Sequence, residues 1–251
     1  WGSSGALAVL LAYADVIDSQ VLLGLINNTL NTLENQLMDS SAFGCKIWIQ
    51  NLYGSQVGCL GAVHGFAGNA HSIIKSYKYL ERQTRERWSN LFRNTIRKTA
   101  LKEYSLVNWP QSIEGNRPGR DQSLVQFCHG APGIICCFSD LIDGSDLEFD
   151  RLMYQAGELV YAAGPLEKGA NLCHGTSGNG FAFLKLFTAT GNELWLERAR
   201  EFAMYAIEQS NQKYQKYNQR HYSLWTGDIG LAFYLDACIK GNSEIPTFDT
   251  F

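Results

Sequence analysis

Hydrophobic positions along this chain fall into two kinds of segment, both with a helical period. The first kind is amphipathic. Residues 20–39 carry Val21, Leu22, Leu25, Ile26, Leu30, Leu33 and Leu37 at spacings of three and four, and residues 86–103 and 146–163 repeat the pattern. Residues 193–214 do so with Trp195, Leu196, Ala199, Phe202, Ala203 and Ile207. A stripe of this kind, polar on its other side, predicts an outer helix with one face on the core. The second kind is apolar on nearly every face, as in Phe181-Ala-Phe-Leu-Lys-Leu-Phe187, and predicts a buried inner helix.

Every apolar segment follows a Gly-x-x-Gly turn. Gly2-Ser-Ser-Gly5 leads into residues 6–13, Gly65-Phe-Ala-Gly68 into 69–80, and Gly130-Ala-Pro-Gly133 into 134–142. Gly175-Thr-Ser-Gly178 leads into 179–190, and Gly227-Asp-Ile-Gly230 into 231–239. The copies recur at roughly 45 to 65 residues, a period of helical-hairpin arrays. Glycine at these places permits a tight turn and close backbone approach. Strand signals are almost absent, because no alternating run is bounded by hairpin turns. Outer and inner helices therefore alternate, and the class is all-α. A four-helix bundle would leave helices over, and an open solenoid would expose the inner ones. A double ring, the α/α toroid, buries them and gathers the glycine turns at one end. No composition shift marks a boundary, so residues 1–251 read as a single domain. Residues 107–120, with two prolines and two glycines, break the rhythm just before the third turn, and a long loop there is expected to serve function.

The chemistry sits at two of the turns. Cys128-His129-Gly130 and Cys173-His174-Gly175 stand at the mouths of equivalent Gly-x-x-Gly motifs. A single Cys-His dipeptide is usually core packing. Two in identical settings can bring thiolates and imidazoles onto one metal ion, for which zinc is the natural candidate. Cys45, Cys59, Cys136, Cys137 and Cys238 lie in apolar or helical surroundings and read as core. The neighbours Cys136 and Cys137 point to different helix faces. His71 reads as packed, and Asp228 as the cap of the last inner helix.

Bulk properties exclude more than they assign. A formal charge of −3 speaks against a nucleic-acid partner, and no apolar run reaches the ~20 residues that span a bilayer. Seven cysteines, an odd number without framework spacing, fit a reducing compartment, hence the cytoplasm. Residue 1 is Trp and opens within a turn motif, so a natural start further upstream is expected.

In wording and order, four of these turns resemble the signatures of the lanthionine synthetase C-like proteins, the lantibiotic cyclases and their stand-alone relatives. They are Gly61-Ala-Val-His64-Gly65-Phe-Ala-Gly68, Phe127-Cys128-His129-Gly130-Ala-Pro-Gly133, Leu172-Cys173-His174-Gly175-Thr-Ser-Gly178 and Ser223-Leu-Trp-Thr-Gly227-Asp-Ile-Gly230. The resemblance implies a toroid of seven inner and seven outer helices, of which this chain would carry about five hairpins. It also implies zinc held by Cys128, Cys173 and His174, with the fourth position open to a substrate thiol. The implied reaction adds that thiol, from glutathione or a peptide cysteine, to a dehydroalanine or dehydrobutyrine of a peptide, giving a thioether. His64 matches the histidine proposed to handle the proton, and His129 a position that steadies the enolate. Tyr222 and Trp225 are candidates to line the bowl. Leu124 stands where the cyclases carry Arg, with Arg120 nearby but not matched, and the position of their early Asp would precede Trp1. Two other readings stand beside this one. One is a non-catalytic binder holding glutathione or a peptide thiol through zinc. The other is a carbohydrate-active toroid, which would place paired carboxylates at a cleft.

Overall fold

The computed structural model describes residues 2–52, 54–115 and 122–250. Among these, nine α-helices alternate between layers. The inner ones are α1 (Gly2–Ala12), α3 (Phe66–Lys75), α5 (Ala131–Phe138), α7 (Thr176–Thr190) and α9 (Asp228–Lys240). The outer ones are α2 (Ser19–Asn35), α4 (Arg82–Thr99), α6 (Leu147–Ala163) and α8 (Glu193–Tyr217). Consecutive inner helices pack on one another in chain order, and α2, α4, α6 and α8 each cover the inner helix before them. This is the double layer of an α/α toroid.

Sequence accounts for the layering. In α7 the residues from Thr176 through Leu186 are all buried, whereas α2 buries only Leu22, Ile26, Leu30 and Leu33. Aromatic residues fill the space between the layers. Phe183 stacks on Trp195 at 6.1 Å and meets Phe202 edge-on at 4.9 Å. Trp48, Phe66, Trp88 and Phe92 form a second cluster, in which the Trp48 indole N–H donates to the Leu33 carbonyl at 2.7 Å. Asp18 and Asp146 cap α2 and α6 through side-chain oxygens that accept backbone N–H groups.

The helices begin on the glycine motifs rather than after them. Gly65, Gly130, Gly175 and Gly227 are the N-cap residues of α3, α5, α7 and α9. Their first N–H groups, which have no partner within the helix, donate backward to the preceding turn. The N–H of Phe66 reaches the Cys59 carbonyl at 2.8 Å, that of Thr176 the Gly169 carbonyl at 2.9 Å, and that of Asp228 the His221 carbonyl at 2.7 Å. The chain therefore doubles back tightly. A Cβ at Gly68, Gly133, Gly178 or Gly230 would overlap the carbonyl oxygen six residues upstream. Close approach is the requirement here; of the four N-cap glycines only Gly130, with φ +104, also needs a left-handed backbone.

Three expectations need correction. Short antiparallel hairpins join the layers: β1 (Leu37–Ser40) with β2 (Cys45–Trp48), β3 (Gln50–Leu52) with β4 (Ser55–Val57), and β5 (Leu101–Glu103) with β6 (Leu106–Asn108). Leu37 thus leaves the helical stripe and pairs with Trp48 in a strand. Finally, Asp228 does not cap α9. It occupies the first helical position, and its carboxylate accepts from Ser210 Oγ at 2.7 Å and from the His221 N–H at 2.9 Å, tying the turn to α8.

Candidate metal centre and cavity

Backbone hydrogen bonds lock the turns side by side. The Cys128 N–H donates to the Cys173 carbonyl at 3.1 Å, and the Cys173 N–H donates to the Trp225 carbonyl at 2.8 Å. Residues 45 positions apart are thereby brought into register. The thiol sulfurs of Cys128 and Cys173 and a ring nitrogen of His174 all lie within 4.8 Å of one another, and this is the one such His, Cys, Asp or Glu cluster among the described residues. Donor atoms around a tetrahedral zinc with bonds of ~2.0 to 2.3 Å stand roughly 3.3 to 3.8 Å apart, so the set fits. Its chemistry, two soft sulfurs and an imidazole, fits the same metal.

The surroundings separate the two thiols in acidity. A hydrogen bond from Cys173 lowers the Cys128 thiol to about 7 against the opposing effect of burial, helped by Gln126 and the charge of Lys168. The partner thiol, Cys173, is pushed up by the same shared proton and by burial. Burial, with the charge of Lys168 second, lowers His174, which is therefore neutral at neutral pH. Behind Cys128 stands a short polar relay. Gln126 Nε2 donates to Cys128 Sγ at 2.9 Å, and Lys168 Nζ donates to Gln126 Oε1 at 2.7 Å. Asn171 Oδ1 accepts the His174 N–H at 3.1 Å and fixes the second turn.

Neither Gln126 nor Lys168 stood out in the sequence. Aligning the turns on their first glycine gives the signal for Gln126. Gln126, Asn171 and Ser223 then share one polar position in an otherwise apolar signature, and Val63, Cys128, Cys173 and Trp225 share another. The last turn thus offers Trp225-Thr226 where the two before it offer Cys-His. Lys168 carries no such mark.

A cavity of about 430 Å³ opens above the cluster, lined by His64, Phe127, Cys173, Trp225, Thr247 and Phe248 among others. His64 and Trp225 therefore face the same space as Cys173. Burial lowers the pKa of His64, so its imidazole is neutral at neutral pH. His129 packs over the neighbouring turn, its Nδ1 3.1 Å from where a Cβ of Gly61 would stand. Tyr222 is 81% exposed on the segment ahead of the turn and does not line this cavity. Asn108, at the end of β6, ties that strand to α5 and the segment before Cys128: its Oδ1 accepts the Ala131 N–H at 2.9 Å and its Nδ2 donates to the Leu124 carbonyl at 3.2 Å. Arg120 lies outside the described residues. Cys45, Cys59, Cys136, Cys137 and Cys238 are buried apart from the cluster, and burial raises the thiols of Cys136 and Cys137. No helix among the described residues is long and apolar enough to cross a membrane.

Comparison with known proteins gives the family and the fold. The family model described as lanthionine synthetase C-like protein matches residues 1–250. LanC-like protein GCL1 of Arabidopsis thaliana is 32% identical over 202 residues, which are 75% of this chain and 43% of that protein. Glutathione S-transferase LANCL1 of Danio rerio is 25% identical over 221 residues, covering 86% and 50%. The chain thus spans about half the length of these curated relatives. The solved structure of nisin cyclase superposes with a TM-score of 0.61 at 16% identity, covering 93% of this chain and 61% of that one, a likeness of fold.

Proposed function

Given that the chain belongs to the lanthionine synthetase C-like family, we propose that it promotes addition of a thiol to a dehydroamino acid. The thiol comes from glutathione or a peptide cysteine, the acceptor is a dehydroalanine or dehydrobutyrine in a peptide, and the product is a thioether. The observation that carries this reading is the meeting of Cys128, Cys173 and His174, from two distant turns, at the edge of a cavity that also holds His64.

The three side chains would hold zinc, with residues 1–251 acting as one domain. When bound, zinc supplies acidification of an incoming thiol at neutral pH, and three protein donors leave a place for it. The rest is proton handling by this chain. His64, neutral through burial, takes the thiol proton. The sulfur forms its bond to the β-carbon, and the double-bond pair moves to the α-carbon and its carbonyl. His64 then returns the proton to the α-carbon, so the addition neither consumes nor releases one. In this reading His129, beside Cys128, steadies the enolate oxygen, and Gln126, backed by Lys168, orients Cys128. Trp225 binds substrate from the wall; Tyr222 has no such position. The described residues lining the cavity include no Asp or Glu, and so no pair of carboxylates for glycoside cleavage. The reaction is assigned to the cytoplasm.

Incubation with glutathione and a dehydroalanine peptide, read by mass spectrometry, tests the proposal. The adduct is expected to form with the parent and to vanish after chelation or in Cys173→Ala. Stoichiometric zinc with no zinc-dependent adduct would leave only a thiol-binding role.

A further inference from the structure

Residues 245–250 follow α9 and turn back into the molecule, where Asp249 enters the buried space shared by three inner helices. Its side chain is only 2% exposed. The carboxylate sits 2.9 Å from Lys185 Nζ of α7, 3.3 Å from His71 Nε2 and 3.3 Å from Lys75 Nζ, both of α3. Its second oxygen accepts the Ile245 N–H at 2.8 Å and closes the segment on itself. The other nitrogen of His71 faces the Cys137 carbonyl of α5 at 3.5 Å. A lysine, Lys185, in the buried part of α7 has no reason to be there except this carboxylate.

What the anchor holds is a piece of the cavity wall. Phe248 stacks on the His71 ring at 4.1 Å and 9°, and meets Phe127, the residue before Cys128, edge-on at 5.3 Å. Phe127 in turn lies 5.4 Å from Trp225. Thr247 takes φ +60, which a β-branched residue adopts only under constraint, and the constraint is visible. Its N–H donates to the Thr250 carbonyl at 2.8 Å, and its Oγ1 accepts the Trp225 indole N–H at 3.1 Å. The segment is thus tied at its tip to the turn wall and at its root to the inner helices.

We propose that residues 245–250 are a specificity strap. Phe248 and Trp225, backed by the buried Phe127, form an aromatic subsite for an apolar or aromatic side chain flanking the reacting residue of a peptide, and Asp249 is the positioning residue that sets it. This deepens the reading above and rests on it for the reaction, though not for the binding. Aromatic rings 5 to 6 Å apart around an open space accept a further ring edge-on or offset. Its described lining carries no Asp, Glu, Lys or Arg to pair with a charged side chain, which favours an apolar or aromatic one.

The test uses two peptides alike except for Phe or Gly beside the reacting position. Binding of their saturated, alanine-containing forms to the purified protein is measured by calorimetry, and turnover of the dehydro forms by mass spectrometry. The parent is expected to favour the Phe peptide by about tenfold. Phe248→Ala should remove that preference while leaving Gly-peptide affinity within about twofold. Asp249→Asn, which touches no ligand, should do the same with zinc content unchanged and, where turnover is seen, raise KM rather than lower kcat. If Asp249→Asn does not fold, the double variant Lys185→Gln/Asp249→Asn, which removes both charges together, replaces it. Equal binding of the two peptides by the parent overturns the strap, as does equal loss of both in Phe248→Ala. Full preference retained without Asp249 overturns its positioning role. Binding preference without any turnover would instead remove the catalytic reading and leave the subsite standing.

Discussion

Replacing Gly178 with alanine is expected to damage the centre without touching a donor atom. The new Cβ would overlap the Leu172 carbonyl oxygen and come within 3.0 Å of the Phe127 Cβ. The oxygen belongs to the peptide that joins Leu172 to Cys173, so relief moves the very residue that must meet Cys128. Overpacking of a buried site costs about 1–3 kcal/mol, and a rigid backbone obstacle places this case near ~3 kcal/mol. For a chain of this size each kcal/mol lowers the melting temperature by roughly 2–4 °C, which gives a drop of about 6–12 °C. Gly24→Ala is the control. It lies within α2 with nothing inside 4 Å of the added carbon, and removing a helical glycine stabilises by about 0.5–1 kcal/mol. Thermal melts by circular dichroism compare the two variants with the parent, alongside zinc content. The close-approach account fails if Gly178→Ala melts within about 2 °C of the parent and holds its metal equally well.

Gln126→Leu removes the donor to the Cys128 sulfur and leaves Lys168 without its acceptor; zinc affinity, by competition with a chromophoric chelator, should fall about 10- to 100-fold. Zinc retention should also fall as the solution is acidified, since protons compete for His174 and both thiols, and a titration of bound metal against pH reads this directly. Asp249 supplies an acid-stability prediction. Burial alone would raise its carboxyl, but the hydrogen bond with His71 and the charges of Lys185 and Lys75 hold it far below the usual range. A depressed folded value means its stabilisation is complete above the unfolded value near ~3.9 and is lost as pH falls below it. Melting temperatures should therefore decline more steeply below about pH 4 in the parent than in the double variant Lys185→Gln/Asp249→Asn.

Much of this molecule can be read from its sequence because its repeat is physical. Helical stripes in residues 146–163 and 193–214 became α6 and α8 with nearly the same limits. The equivalence of the two Cys-His-Gly turns carried into space, since equivalent turns stack through their own backbone bonds. The hairpins escaped notice because strands of three or four residues, such as β3 and β5, are too short to show an alternation. Leu37 fits the stripe of α2 by spacing, but the helix ends at Asn35 with Gln36 as its C-cap, and the next residues pair with β2. The anchor at Asp249 was illegible for another reason. A polar residue near one end of the chain gives no sign that Lys185 and His71, both on apolar inner helices, are waiting for it. Tyr222 stands near a turn in sequence, and nearness along the chain does not decide which way a side chain faces.

The central claim is that Cys128, Cys173 and His174 form one metal centre, and zinc analysis of the purified protein tests it most directly. One zinc per chain is expected in the parent, lost in Cys128→Ala and in Cys173→Ala while the helical circular dichroism spectrum is kept. Zinc retained in full by either variant would contradict the account.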